Sequence, residues 1–318
     1  MKKLLAGRKF ATVLTSLGAF VLLTTLTSNP TLGATSQPTW ESYHKQGKEN
    51  FERENLDASA KAFEKALDCA EKFPENDPRM GKTLNNLATV YERLGKNNEA
   101  CKSEEMAVEA GDKNMSADDP KLMQRVDFLS TLYLKTNQFQ KGEKTVLRYL
   151  AYVEKTKGKD DKEVARVLDN LVVCLHAEKR SKEAEPHCKR ALKIYEQTTG
   201  EESRLVARTL SALAGLQMDQ DKLNEAEVTS TRARVLFEKI YGKRDVNTAV
   251  ALASLAEIKA KKGEKEEADV LFKQALAILR KGKSAQSIKV TESVSKVYED
   301  LLGKPATAAE PTKGKKAH

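Results

Sequence analysis

Residues 84–100 read LNNLATVYERLGKNNEA, and this skeleton of leucine, small residue, aromatic, polar turn and alanine decides the fold because it recurs. Leu87-Ala88, Leu129-Ser130, Leu171-Val172, Leu213-Ala214 and Leu255-Ala256 each follow the last by 42 residues. The same offset runs through Ala100, Gly142, Ala184, Ala226 and Ala268, and through Ala107, Tyr149, Ala191, Ala233 and Ala275. A leucine and a small residue on one helix, facing two alanines seven apart on the next, let antiparallel helices approach closely while Leu210, Leu213 and Leu216 fill the groove. Polar turns such as LGKNNEA (94–100) and KGEKEEA (262–268) separate the two helices, with glycine expected where the first one stops. A further column, Gly158, Gly200 and Gly242, is expected to end the second helices.

Composition agrees with an all-α chain. Of 318 residues, 32% are charged and 6% aromatic, with 16 Gly and 8 Pro, which suits helices packed through small residues better than strands. The net charge of +9 is concentrated at the ends. Lys2, Lys3, Arg8 and Lys9 precede residue 35, and Lys304, Lys313, Lys315 and Lys316 outweigh Glu310 in the tail, which leaves +2 for residues 35–302. A body so balanced lacks the clustered basic face of a nucleic-acid binder.

The N-terminus reads as a leader: basic MKKLLAGRK, the apolar run Phe10–Thr27, then small residues around Gly33 and Ala34. Residues 1–34 are therefore expected to be a signal peptide, which makes the chain periplasmic or secreted. The alternative is an uncleaved membrane anchor at residues 10–27. Residues 303–318, GKPATAAEPTKGKKAH, form a basic tail with nothing to bury and are expected to be disordered.

Leu84-x2-Leu87-Ala88-x2-Tyr91 with Ala100 and Ala107, and Leu252-x2-Leu255-Ala256 with Ala268, Phe272 and Ala275, resemble the tetratricopeptide repeat (TPR). The 42-residue period and segments such as KEAEPHCKRALKIYE (182–196) are similar to the kinesin light chain type of that repeat. HEAT and armadillo arrays share the period but lack this signature. The resemblance implies a right-handed superhelical α-solenoid over residues 39–302. Six helix pairs fall at about 40–73, 81–115, 123–158, 165–200, 207–242 and 249–282, and a capping helix at 286–302 turns Ile288, Val294, Val297 and Leu301 inward. The third unit, with Ser130, Gly142 and Tyr149 in the small columns, is expected to pack irregularly.

By the same resemblance, the first helices line a concave groove that holds peptides or partner helices. Lys82, Gln124, Arg166 and Arg208 stand six residues before the small column, Asn86 and Asn170 two before it, and Arg93 and His176 extend the strip. Amides can bond a peptide backbone and arginine can clasp a carboxylate, which implies an acidic or C-terminal peptide partner. The competing reading pairs these residues with neighbours such as Asp127 and Asp169.

No nucleotide-binding, hydrolase or zinc-protease motif occurs, and repeats fill nearly the whole chain, so no enzymatic activity and no cofactor are expected. Cys174, His176, His187 and Cys188 gather soft ligands, but residues two apart on a helix differ by about 200°, which sets Cys174 and His176 on opposite sides. In an oxidising compartment Cys174 with Cys188, or Cys69 with Cys101, could form disulfides; free thiols are the alternative. The function read from the sequence is an exported scaffold for protein partners, with a self-assembling envelope component as the alternative. Nucleic acid is not an expected partner, and membrane contact is expected only through the N-terminus.

Overall fold

The computed structural model describes residues 39–303, 305 and 306. The leader and most of the basic tail lie outside the described residues. Thirteen α-helices and no strand occur among those described, ordered as six antiparallel pairs and a final single helix. The pairs are α1 (Trp40–Glu52) with α2 (Leu56–Ala70), α3 (Pro78–Arg93) with α4 (Asn97–Asn114), α5 (Pro120–Lys135) with α6 (Phe139–Lys157), α7 (Lys162–Ala177) with α8 (Ser181–Thr199), α9 (Arg204–Asp219) with α10 (Leu223–Tyr241), and α11 (Val246–Lys261) with α12 (Lys265–Leu279); α13 (Ala285–Leu302) closes the array. No described helix is long and apolar enough to cross a membrane.

The repeat dictates where helices start and stop. Asp77, Asp119, Asp161, Ser203 and Asp245, again 42 residues apart, each cap a first helix, their side-chain oxygens accepting backbone N–H groups two or three residues on. Pro78 and Pro120 occupy the first helical position, where a missing N–H costs nothing. The hairpin turns correct the sequence expectation of glycine. Gly95 and Gly263 supply the left-handed residue in two units, but Glu54, Asn137, Lys179 and Asp221 adopt it in the others, at φ 56–61°. The N–H that follows bonds five residues back in every case, as Gln138 N to Tyr133 O at 2.9 Å, and this closure holds the non-glycine residues there. Gly158, Gly200 and Gly242 do end second helices, at φ 84–92° with ψ 153–164°, backbone that only glycine adopts easily.

The small columns are contact points. Ala88, Ala100, Ala107, Ala184, Ala191, Ala226, Ala256, Ala268 and Ala275 are fully buried. In the third unit Gly142 sits close to the next unit: a Cβ there would stand 3.2 Å from Cys174 Sγ, so the thiol would have to give by a few tenths of an ångström. Tyr149 fits its column by lying flat beside Tyr152, with the Arg166 guanidinium 5.8 Å from its ring centre.

Three cores result. One runs without a break from α2 to Ala251 on α11, a smaller one, centred on Phe272, joins α11, α12 and α13, and a third gathers Trp40, Ala66 and Ala70 at the N-terminal end. α13 packs on both α11 and α12, as the first helix of a seventh unit would. Its buried anchor is Tyr298, 3% exposed, flanked by Val294, Val297 and Leu301, whereas Ile288 turns outward at 51% exposure. Lys289, Glu292, Lys296 and Glu299 are exposed on its outer side, so the end of the stack is polar.

All four cysteines are free thiols. Cys174 faces α6, while Cys188 Sγ donates to the Thr209 carbonyl on α9 at 3.5 Å, so the two point to opposite neighbouring units rather than into one helix pair. Cys101 Sγ accepts from Gln138 Nε2 of the next unit, and Cys69 packs beside the Trp40 cluster. Burial pushes the Cys188 thiol up to about 12 and Cys174 to about 11, which keeps both protonated and slow to exchange.

Candidate functional site

First helices of successive units approach one another, α5 to α7 and α9 to α11, so the stack has a continuous wall of first helices. The sequence-derived residues all lie on this wall, but they divide by what they touch.

Arg166 is committed to the protein. Its Nη2 donates to both oxygens of Asp127 on α5 at 2.8 Å, and its Nε and Nη2 donate to Glu163 at 3.0 and 2.7 Å. Arg208 repeats the motif one unit on: Nη2 donates to Asp169 on α7 at 2.8 Å, and Tyr195 Oη donates to the same carboxylate at 3.0 Å. Burial pushes the Asp127 and Asp169 carboxyls up, and the arginines oppose this only in part. The alternative pairing considered from the sequence is thus the one the geometry adopts. The two arginines still differ, because Arg208 is 61% exposed and engages through one nitrogen, leaving the rest of its fork toward solvent.

The Arg166→Ala variant is therefore expected to lose about 1–2 kcal/mol of stability, since it strands Asp127 and Glu163 in partial burial. Equilibrium urea unfolding measures this.

Toward the N-terminal end three predicted residues converge. Asn86 Nδ2 donates to His44 Nε2 at 2.9 Å; burial first, then Lys82 and Lys48, depress the His44 pKa, so the ring nitrogen stays an acceptor. His44 stacks on Trp40, with ring centres 4.5 Å apart. Lys82 lies exposed over Trp40 with its ammonium 5.9 Å from the ring centre, and Arg93 covers Phe51 at 5.1 Å while pairing with Glu54 at 3.1 Å. Of these groups Asn86 and Phe51 line a cleft of about 220 Å³ between α1 and α3, completed by Lys48, Glu52, Phe63, Thr89 and Val90. Gln124 and Asn170, on α5 and α7, point no hydrogen bond at any described group and remain available. At the far end Val250, Ser254, Val290 and Val294 line a second, apolar cleft of about 290 Å³ between α11 and α13.

A more voluminous hollow of about 700 Å³ lies at the turn edge, beside His176 and Ser181. Its central groups are already satisfied. His176 Nε2 and Ser181 Oγ both contact Asp219 Oδ2, at 2.9 and 2.7 Å, and Arg180 binds Glu143, Glu178 and Glu183. The walls of this hollow offer a partner less than the two clefts do. His176 therefore belongs to the edge rather than to the binding strip.

Sequence reading missed the ion-pair ladders between units. Arg148, Arg190 and Arg232 pair with Asp112, Glu154 and Glu196 at 2.5–2.7 Å, both sets spaced by 42. Arg180 and Lys222, each just ahead of a second helix, reach back to Glu143 and Glu185 at 2.7 and 2.6 Å. Such pairs are worth little singly, but repeated they fix the rotation of each unit on the last.

Residues 163–229 and 205–281 match the Tetratricopeptide repeat family. This stretch of the chain consists of tetratricopeptide repeats. No curated protein matches the chain in sequence. Among solved structures, the TPR array resembles BtubC (BKLC) from P. vanneervenii, with 16% identity over 77% of this chain and 91% of that one and a TM-score of 0.54. It is similar also to kinesin light chain-type TPR-like repeats from Podosopora anserina, with 17% identity, 65% and 99% coverage and a TM-score of 0.53. Aspartyl phosphate phosphatase F from Bacillus subtilis shares 13% identity over 86% of this chain and 82% of that one, with a TM-score of 0.58. At such identities the likeness is one of fold, and TPR arrays serve as surfaces for protein partners.

Proposed function

We propose that this chain is an exported, non-enzymatic scaffold whose first-helix wall holds an acidic segment of a partner protein. The observation that carries the reading is the set of donors left unspent along one wall: Lys82, Gln124, Asn170 and the outer fork of Arg208, with an apolar-floored cleft at either end. Amide and guanidinium groups on a rigid helical wall offer donors to carboxylates and to peptide groups at no cost in prior rearrangement. Export rests on the basic, apolar and small-residue order of residues 1–34.

A partner is to be captured from the native host on immobilised protein and its affinity then measured. Lys82→Ala with Arg208→Ala is expected to weaken binding at least tenfold, the equivalent of about 1.4 kcal/mol, with a modest loss of stability, since Asp169 loses its guanidinium, read alongside by urea unfolding. An unaltered affinity would reject the wall as the site.

A further inference from the structure

Asparagine followed two residues on by serine or threonine, with no proline between, is the acceptor triplet for N-linked glycosylation in exported chains. Among the asparagines of this chain only Asn114 opens one, Asn114-Met115-Ser116; Asn29-Pro30-Thr31 is ruled out by its proline. The triplet lies where α4 gives way to the loop before α5.

Packing does not call for this triplet, as the repeat makes plain. Ser116 holds the position of Gly158, Gly200 and Gly242, whose φ of 84–92° ends the second helix in the next three units. Here α4 stops at Asn114 instead, and Met115 leaves it in extended backbone at φ −129° and ψ 160°. No left-handed residue is then needed, and the glycine of the column has become a hydroxyl-bearing side chain. Asn114, Ser116 and Ala117 are exposed. Ion pairs hold the segment at both ends: Arg148 with Asp112, Lys113 with Glu75 and Lys155 with Asp118, while Asp119 caps α5. Between these fixed points Ser116 Oγ bonds no described group, and Asn114 Nδ2 donates one solvent-exposed bond, to Ala110 O at 2.9 Å. Fraying of the last helical turn frees that amide.

We infer that Asn114 is a site of N-linked glycosylation, an inference that rests on the export proposed above. The donor is, by class, a lipid-linked oligosaccharide pyrophosphate. The bond from its first sugar C1 to the pyrophosphate oxygen breaks, C1 bonds to Asn114 Nδ2, one amide proton passes to the transferase, and the lipid pyrophosphate leaves. The site is at the end of a second helix, so the glycan stands clear of the first-helix wall.

Mass spectrometry of the full chain recovered from the native host is the test. Trypsin releases residues 114–121 as one peptide, which is expected to be shifted in mass by a whole number of sugar residues and to shed sugar ions on fragmentation. Ser116→Ala is expected to lose the shift and Ser116→Thr to keep it. Ser116 is exposed, so both variants should retain the fold, as circular dichroism would verify. A bare peptide in chains found outside the cytoplasm, or a shift that Ser116→Ala retains, would overturn the inference alone. Chains confined to the cytoplasm with a bare peptide would overturn it together with the proposed export.

Discussion

Replacing Phe272 by alanine is expected to split the unfolding of the array into two steps. Phe272 is 1% exposed at the centre of the small C-terminal core, edge-on to Tyr298 with ring centres 5.6 Å apart. Around it the fully buried neighbours Ala256, Ala268 and Ala275 cannot expand into the space, so the cavity persists. A buried phenylalanine reduced to alanine costs about 3–5 kcal/mol. In a compact domain that loss would be spread over the whole molecule. In a linear array each unit is held only by its neighbours, and here the apolar core is divided, one part ending at Ala251 and the other beginning at Leu252. The last unit is joined to the fifth through Ala251 of α11, which belongs to the larger core, and through a charged cluster in which Lys259 and Lys262 bind Glu227. The variant should therefore lose α12 and α13 first, with α1–α10 melting near the wild-type temperature. Hydrogen exchange read helix by helix checks this: faster exchange confined to the C-terminal unit is expected, and an equal loss of protection in α3 and α12 would show one cooperative body.

The reason Phe272 was visible in the sequence, while the groove contacts were not, is physical. Columns of leucine, alanine and glycine report packing within a unit, which the period alone determines, so Ala88, Ala107 and Gly158 could be placed before any coordinates. The caps Asp77, Asp119 and Asp161 share that period and were equally legible; attention to the apolar columns passed over them. The contacts of Arg166 and Arg208 cross to the preceding unit, 39 residues back. Whether such a pair meets depends on the rotation between stacked hairpins, which no spacing encodes. Tyr298 was missed for a related reason: on α13 the helical period allows a stripe through Ile288, and only docking on α11 and α12 selects the one through Tyr298.

One departure from the columns leads to the second large effect. Glu104 on α4 occupies the position filled elsewhere by Phe63, Val146, Cys188, Ser230 and Phe272, and it is completely buried. Asn85 Nδ2 donates to both of its oxygens, at 3.1 and 3.0 Å, and Arg125 lies near enough to attract it. Burial outweighs both and pushes the carboxyl up to about 7. The direction of the pH effect follows. Below the unfolded value of 4.5 both states hold the proton, and the site costs the fold nothing. Between that value and about 7 the unfolded chain releases the proton and the native state keeps it, so stability falls as pH rises; above it the native state carries a buried anion and the loss is complete. At about 1.4 kcal/mol per pH unit over the interval from 4.5 to about 7, the accumulated penalty at pH 8 is about 3–4 kcal/mol. Glu104→Gln keeps the shape and an acceptor for Asn85 while removing the charge. It is expected to match the wild type at pH 4.5 and to exceed it by about 3 kcal/mol at pH 8 in urea unfolding. Asp127 and Asp169, also raised by burial, titrate in both proteins and cancel in the difference. A gap between the two proteins that is the same at both pH values would mean that Glu104 ionises as freely in the array as in the unfolded chain.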